Sequence, residues 1–399
     1  MISLKLYNIM NILFLGSLCS PNVYSFCMKN KIKLDYPGLA LQEALLKGLS
    51  NYCSIQTVSN VLLPSDKIKF IHKEIYKSKY AEYNLSVPTI NIKGVKQILS
   101  PFITNLLLKK NLVIPDVIFV YALSSELLKV AKTIKNKNNK CKVVLMIPDL
   151  SEFMGGNQSK FYTILKSVES KLVRRYIDVV DGFILLARDM KERMPIGETP
   201  YIVLEGIYNS EDVQINADKE EFKTVMYTGN LGERYGIKKL VDAFGQIKAK
   251  DYRLWIRGNG DTIDYLRKIQ KKDNRIKIFE PLTREELLKM EKKATVLVNP
   301  VSPKQQFTKY FFPSKTMEYL ASGTPTIMYK LSCLPKDYHK YLYFFEEDSQ
   351  EGIKSKIEEI CSKPTDELEK FGKEASIFIH KFKTPKVQAR RILDFIETL

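Results

Sequence analysis

Short runs of β-branched and aromatic residues alternate with longer helical patterns through the second half of this chain, and that alternation constrains the fold more than any other feature. Runs at 224–227, 252–256, 275–279, 295–299, 326–329 and 341–345 read as strands. Between them apolar residues recur every three or four positions, as in Leu240, Val241, Phe244 and Ile247, then Ile263, Leu266 and Ile269. A strand, a helix and a further strand repeated at this spacing give a parallel sheet covered by helices. The first half reads the same way, with strands at 11–15, 53–58, 116–121, 142–147, 181–186 and 201–204 and helices at 37–49, 124–136 and 158–176. The expected class is α/β: two Rossmann-like doubly wound domains, 1–205 and 206–384. Gly206, Asn209, Ser210 and several charges mark the join, and a helical segment at 385–399 belongs to either domain.

Charge divides unevenly between the halves. Residues 1–200 hold 28 basic and 15 acidic side chains, whereas 201–399 hold 35 and 30, so +13 of the net +18 lies in the first half. Such a field draws polyanions, and both nucleic acid and an anionic membrane surface qualify. The chain has no RNP-like aromatic strand and no recognisable recognition helix, so a basic nucleic-acid-binding protein is the second choice.

Six cysteines (Cys19, Cys27, Cys53, Cys141, Cys333, Cys361) without a CxxC pair, and three histidines, suggest neither a disulfide framework nor a zinc site. Reduced thiols in the cytoplasm are the simpler reading. Residues 1–20 have a lysine followed by an apolar run, as a secretory signal would, but Asn8 and Asn11 interrupt the run and Leu18 before Cys19 is a poor cleavage position. Residues 11–16 therefore read as a first buried strand closed by a glycine turn.

Ligands of doubly wound sheets sit beyond the carboxyl ends of the strands. Four loops of the second half fit that place. In 227–236 (YTGNLGERYG), Gly229 and Gly232 let backbone approach a phosphate and Arg234 adds a full charge, although a tight turn without ligand would look alike. Gly258 and Gly260 give the second loop the same permissiveness. The third, 280–286, reads chiefly as a helix start, with Thr283 capping and Glu286 closing the box, although a nucleobase edge could still meet the backbone at Leu282. The fourth, 306–325, puts Lys315 and Glu318 on one face of a helix that Pro313 and Ser314 open. A cation and a carboxylate there suit a diphosphate and a neighbouring diol, and a surface salt bridge fits equally.

The run FTKYFFPSKTMEYLASGTPTI resembles the donor-binding segment of GT-B glycosyltransferases, in particular family 4 enzymes of bacterial surface-polysaccharide assembly. YTGNLGERYGIKKLVDAF, LWIRGNGD and ATVLVNP are similar to the same family's C-terminal domain, so the likeness spans most of 180–345. In the first half it is architectural, with one local match at 147–150. The resemblance implies GT-B architecture, two facing domains with a nucleotide sugar in the cleft, held chiefly by the C-terminal domain. It implies that Glu318 holds the ribose, that Lys315 and Arg234, with Ser314 beside them, hold the diphosphate, and that Gly229 and Gly232 line the donor site. The family's paired glutamates stand eight apart, yet eight before Glu318 is Tyr310. The first carboxylate is missing, and its duty toward the donor sugar falls to Lys309, Tyr310 or Phe311. The lysine often found before the first loop's glycine is replaced by Tyr235, with Arg234 as substitute. Pro148 and Asp149 stand where many relatives carry a histidine, making Asp149 the candidate carboxylate facing the reacting sugar, or a cap for the next segment.

Glycosyl transfer needs charge on the leaving diphosphate stabilised, and cations and helix dipoles do this without a metal. No DxD motif follows a strand, so no essential metal or other cofactor is expected beyond the donor substrate, a UDP- or GDP-sugar. The resemblance also implies retention of anomeric configuration. Residues 94–110 are apolar between lysines and contain Pro101, so they read as a helix of the first domain or as an interfacial segment reaching a polyprenyl-diphosphate-linked saccharide. The lysine-rich stretch 129–142 reads as a solvated helix end. The expectation is a cytoplasmic enzyme, peripheral on the inner face of a bacterial cell membrane, with an inactive GT-B scaffold as the other alternative.

Overall fold

Stretches such as VIFVY and KVVLMI are apolar on both faces, which suits only a strand covered by helices on both sides. The computed structural model places them that way and describes residues 10–32, 34–61, 63, 68–92, 95–111, 114–150, 160–209 and 217–399. The chain divides into two units, Met1–Asn209 with Pro385–Leu399, and Ser210–Thr384.

The strands of the first unit are β1 (Met10–Gly16), β2 (Cys53–Ser59), β3 (Phe70–Ile71), β4 (Glu74–Tyr76), β5 (Tyr83–Ser86), β6 (Thr89–Ile90), β7 (Val117–Tyr121), β8 (Lys142–Ile147), β9 (Gly182–Leu185) and β10 (Tyr201–Val203). Among the described residues they form an eight-stranded sheet ordered β10-β9-β8-β7-β1-β2-β5-β4, with a β3–β6 pair beside it. Every pairing in the large sheet is parallel except β4 with β5. β1 lies mid-sheet and its last five residues are buried, so residues 10–16 are an integral strand. Phe14 stacks on Phe119 of β7 with ring centroids 5.4 Å apart, at the point where strand order reverses.

Helices α1 (Pro21–Lys29), α2 (Tyr36–Leu49), α3 (Val95–Asn111), α4 (Ser125–Lys135) and α5 (Lys160–Tyr176) belong to this unit. In the second unit the strands are β11 (Lys223–Asn230), β12 (Tyr252–Asn259), β13 (Ile276–Phe279), β14 (Val296–Asn299), β15 (Thr326–Tyr329) and β16 (Tyr343–Phe345), parallel throughout in the order β13-β12-β11-β14-β15-β16. This is the doubly wound order whose reversal, here between β11 and β14, makes a crevice beyond the strand ends. Its helices are α6 (Ile237–Gly245), α7 (Ile263–Gln270), α8 (Arg284–Lys293), α9 (Ser314–Ser322), α10 (Gln350–Cys361) and α11 (Thr365–Phe382).

The last helix, α12 (Pro385–Ile396), packs on α2 of the first unit, burying Ile392, Leu393 and Ile396 beside Leu45 and Leu49. The units therefore part at 209/210 and again at 384/385, rather than at 205/206, because the chain after β10 stays with the first unit: Lys47 Nζ donates to Asn209 Oδ1 at 2.9 Å and Gln388 Nε2 to the Gly206 carbonyl at 2.8 Å.

Three differences from the sequence expectation have clear causes. The strands β3 to β6 span two to four residues each, too short for a periodic signal. Tyr341, expected in the last strand, ends a 3-10 turn, with its ring stacked on Phe378 at 4.6 Å. And α3 is turned inside out. Lys96, Ser100 and Thr104 are buried, while Val95, Leu99, Phe102 and Leu106 face solvent. The inward groups are satisfied: Lys96 Nζ donates to the Val61 carbonyl at 3.0 Å, Ser100 Oγ accepts from Asn60 Nδ2 at 2.7 Å, and Thr104 Oγ1 donates to the Ser100 carbonyl at 2.7 Å. Lys96 also offsets the buried Glu126 carboxylate, whose pKa burial raises. In the 129–142 stretch, Lys132 pairs with Asp178 and Lys135 with Asp181, while Lys137 and Lys140 are exposed.

Candidate donor site

The carboxyl ends of β11, β12 and β14 gather three of the four loops singled out in the sequence. β11 and β12 stay paired to their last residues, so Gly229 lies opposite Gly258. A β-carbon on Gly258 would lie 1.8 Å from the Gly229 carbonyl oxygen, a contact no side chain tolerates. Glycine is there to bring two backbones together. Gly236 has φ +79°, the left-handed region, and a β-carbon on it would sit 2.2 Å from the Pro300 carbonyl. That close approach seats the start of α6 against the chain leaving β14, on the two sides of the strand-order reversal.

Helix caps separate the loops by role. Thr283 and Glu286 form the capping box expected of them, with Glu286 Oε2 accepting from the Thr283 amide at 2.8 Å, so the start of α8 is satisfied internally and Leu282 stands just before it, half-buried. By contrast, α6 begins at Gly236 and α9 at Pro313 without a side-chain cap. In α9 the Thr316 amide donates to the Pro313 carbonyl at 2.8 Å, so what the two helix starts offer an anion is chiefly their partial positive charge. The amides of Gly232 and Glu233 are engaged, by Asn230 Oδ1 at 2.8 Å and Asp261 Oδ1 at 3.1 Å. Those two amides are therefore committed within the second unit's own loops.

Arg234 lies over both the Tyr235 and Phe307 rings, 5.0 Å from each centroid, and donates to the Tyr235 hydroxyl at 2.9 Å. Through Phe307 the first loop meets the fourth. Phe307 in turn packs on Phe311 at 5.2 Å. Lys309 ends the 3-10 turn Gln306–Lys309 and is exposed, while the Tyr310 ring next to it is buried.

Ser314, Lys315 and Glu318 occupy the first turns of α9, with Ser314 exposed. Lys315 and Glu318 make the i, i+3 ion pair that the sequence allowed, both side chains about one-third accessible. A pair so placed adds no more than about 1 kcal/mol to stability. Both remain within reach of a ligand.

A residue that sequence reasoning did not single out feels the charge of both Lys315 and Glu318. Glu291 of α8 is fully buried, and its Oε1 accepts from the Thr228 hydroxyl at 3.2 Å. Burial pushes its carboxyl up to about 7, with Lys315 the strongest influence in the other direction. The available signal was periodicity: Glu291 falls on the stripe formed by Leu287, Met290 and Ala294, the apolar face of α8.

Asp149 stands in the first unit after β8. It is accessible to solvent, yet its surroundings, then the charge of Asp35, push its carboxyl up to about 6. Asp35 caps α2, where the Gly38 amide donates to its Oδ1 at 3.3 Å. Burial, and after it both carboxylates, raise the pKa of Tyr121 at the end of β7. The segment that Asp149 was alternatively expected to cap, 151–159, lies outside the described residues. No group of three or more His, Cys, Asp or Glu side chains among the described residues is arranged to hold a metal ion.

Solved structures with this architecture cover nearly the whole chain. A glycosyltransferase from Rickettsia africae is 14% identical with a TM-score of 0.63, covering 98% of this chain and 99% of that one. The lipopolysaccharide outer core galactosyltransferase WaaB is 14% identical with a TM-score of 0.62 and the same coverage. HepE of Anabaena, in complex with UDP and glucose, is 13% identical with a TM-score of 0.60, covering 98% of this chain and all of that one. No curated protein sequence matches the chain. At these identities the likeness defines the fold, and the fold is GT-B. Residues 209–377, nearly all of the second unit, match the family model described as Glycosyl transferases group 1.

Proposed function

We propose that this protein is a retaining, metal-independent glycosyltransferase that moves a sugar from a nucleoside diphosphate to a lipid-linked saccharide during capsular, exopolysaccharide or O-antigen assembly. The observation that carries the donor half is the pairing of Lys315 and Glu318 on the uncapped start of α9, across the strand-order reversal from the uncapped start of α6. Two helix dipoles, Lys315 and Arg234 are the positive groups that would meet the charge developing on the leaving diphosphate. Glu318 would accept from the ribose hydroxyls. HepE carries UDP, which favours a UDP-sugar over a GDP-sugar. Asp149 would face the reacting sugar.

The acceptor half rests on α3. Its outward stripe Val95, Leu99, Phe102 and Leu106 is apolar, with Phe102 61% exposed, and Ile92 and Phe70 add to the exposed apolar surface of the same unit. Lys69, Lys73, Lys77 and Lys79 are exposed in the same unit, against Glu74 and Glu82. Apolar side chains amid lysines fit the anionic face of a bilayer, where a polyprenyl-diphosphate-linked saccharide would be met. WaaB, a lipopolysaccharide galactosyltransferase, shares the fold and supports an acceptor of this kind. The contact proposed is peripheral, on the cytoplasmic face; no helix among the described residues is long and apolar enough to cross a membrane.

Thermal unfolding with a panel of UDP- and GDP-sugars tests the donor site. A donor at a hundredfold excess over its Kd stabilises the folded protein by about 2.7 kcal/mol, a clear rise in Tm. Lys315→Ala and Glu318→Ala should each abolish that rise and the transfer activity. Full responses in both variants would remove these residues from the site, and binding without any turnover would identify an inactive scaffold.

A further inference from the structure

Glu291 has a feature that the donor reading leaves unused. Its Oε2 is buried and has no hydrogen-bond partner. A lone carboxylate oxygen in a protein interior is costly, and such a group persists where neighbouring charge compensates it or where it serves a second state. The compensating charges here are those of the donor site. From α9, Lys315 favours the ionised form and Glu318 opposes it. From α8 itself, Arg284 favours it. From β11 the Thr228 hydroxyl donates to Glu291 Oε1 at 3.2 Å, and the Tyr319 phenol donates to the Thr228 carbonyl at 2.9 Å, with Tyr227 near that phenol. Lys315 thus answers to two carboxylates, Glu318 on the surface and Glu291 in the interior.

We propose that Glu291 is a positioning residue of the donor site, taking up a proton from solvent when a nucleotide sugar binds at Lys315 and Glu318. The inference rests on the donor-site reading above. A nucleotide sugar carries two negative charges on its diphosphate throughout the neutral range. Set against Lys315, it engages the cation that keeps Glu291 ionised and adds like charge nearby, so both effects drive the carboxylate toward its neutral form. One solvent proton is gained at Oε2 and no other bond changes. Because Glu291 titrates near neutrality, the uptake falls within the working range. By linkage, donor affinity weakens as pH rises, by up to about tenfold per pH unit between the free and bound pKa values.

The test is titration calorimetry of the full chain at about pH 7.5 with UDP-glucose, UDP-N-acetylglucosamine and GDP-mannose, in phosphate and in Tris. Intact nucleotide sugars are required, because the terminal phosphate of free UDP itself titrates near neutrality. The buffer dependence of the heat should report uptake of a fraction of a proton in the wild type. In Glu291→Gln it should vanish, and affinity should lose its pH dependence. Should that variant fail to fold, Thr228→Val removes the one hydrogen bond favouring the carboxylate and should move the pH of maximal uptake upward. Donor binding without proton uptake, or uptake unchanged in Glu291→Gln, overturns this proposal alone. Absence of binding by every sugar overturns the donor-site reading and this proposal with it.

Discussion

The Tyr319 hydroxyl donates to the Thr228 carbonyl at 2.9 Å and accepts from the Thr228 amide at 2.7 Å, so a helix side chain replaces a neighbouring strand at the end of β11. Tyr319 follows Glu318 and Thr228 precedes Gly229, which ties the carboxylate helix to the glycine loop from below. Tyr319→Phe strips two buried backbone groups of their partner. We expect a loss of about 1–3 kcal/mol in denaturant unfolding together with weaker donor binding. Unchanged donor affinity would show that this tie does not set the loop geometry.

Gly258→Ala should abolish donor stabilisation outright. Its β-carbon would overlap the Gly229 carbonyl, and backbone cannot step aside as a flexible side chain can. Gly245→Ala is the control, since nothing lies within 4 Å of the added carbon there. Thermal shifts of the two variants with the same nucleotide sugar give the comparison.

Glu291 also predicts how stability varies with pH. Its folded pKa of about 7 lies above its ordinary value of 4.5, so its contribution is fully present below 4.5 and is lost as pH rises through 7. Above neutrality, Glu291→Gln should therefore gain on the order of 3 kcal/mol relative to wild type, and little at acid pH. Parallel stability curves for the two proteins would contradict the assignment.

Asp149 should set an acid limit on transfer. With its carboxyl pushed up to about 6, the anion prevails only above that pH. We expect kcat/KM for the acceptor to rise as pH passes through about 6 in the wild type, and Asp149→Asn to be slow and flat across the same interval. An identical profile in the variant would assign the limb to another group.

The outward face of α3 predicts binding to vesicles of anionic lipid that falls as salt increases. Replacing Leu99 and Phe102 by serine should weaken it at every salt concentration without lowering Tm, because both side chains face solvent. Retention of full binding would place the membrane contact elsewhere.

Much of this was legible in the chain itself. Periodicity located β8 and β15 to the residue, since short, largely apolar runs bounded by turns read as buried strands in an α/β chain. Lys315 and Glu318 were found because their spacing on a helix is local. The short strands from β3 to β6 escaped, being too brief to show a period. So did Glu291, because a glutamate in a helical stretch reads as surface until the helix is packed.

The sequence alone determined the strand and helix alternation, and with it two doubly wound units and the loops able to hold a donor, because those depend on neighbours a few residues apart. Only the tertiary structure decided the rest. It turned the polar side of α3 inward, returned α12 to the first unit, engaged the Gly232 and Glu233 amides, and buried Glu291 within reach of the Lys315 charge. Each of these depends on residues far apart in the chain, and burial and charge coupling between them exist only once the layers have packed.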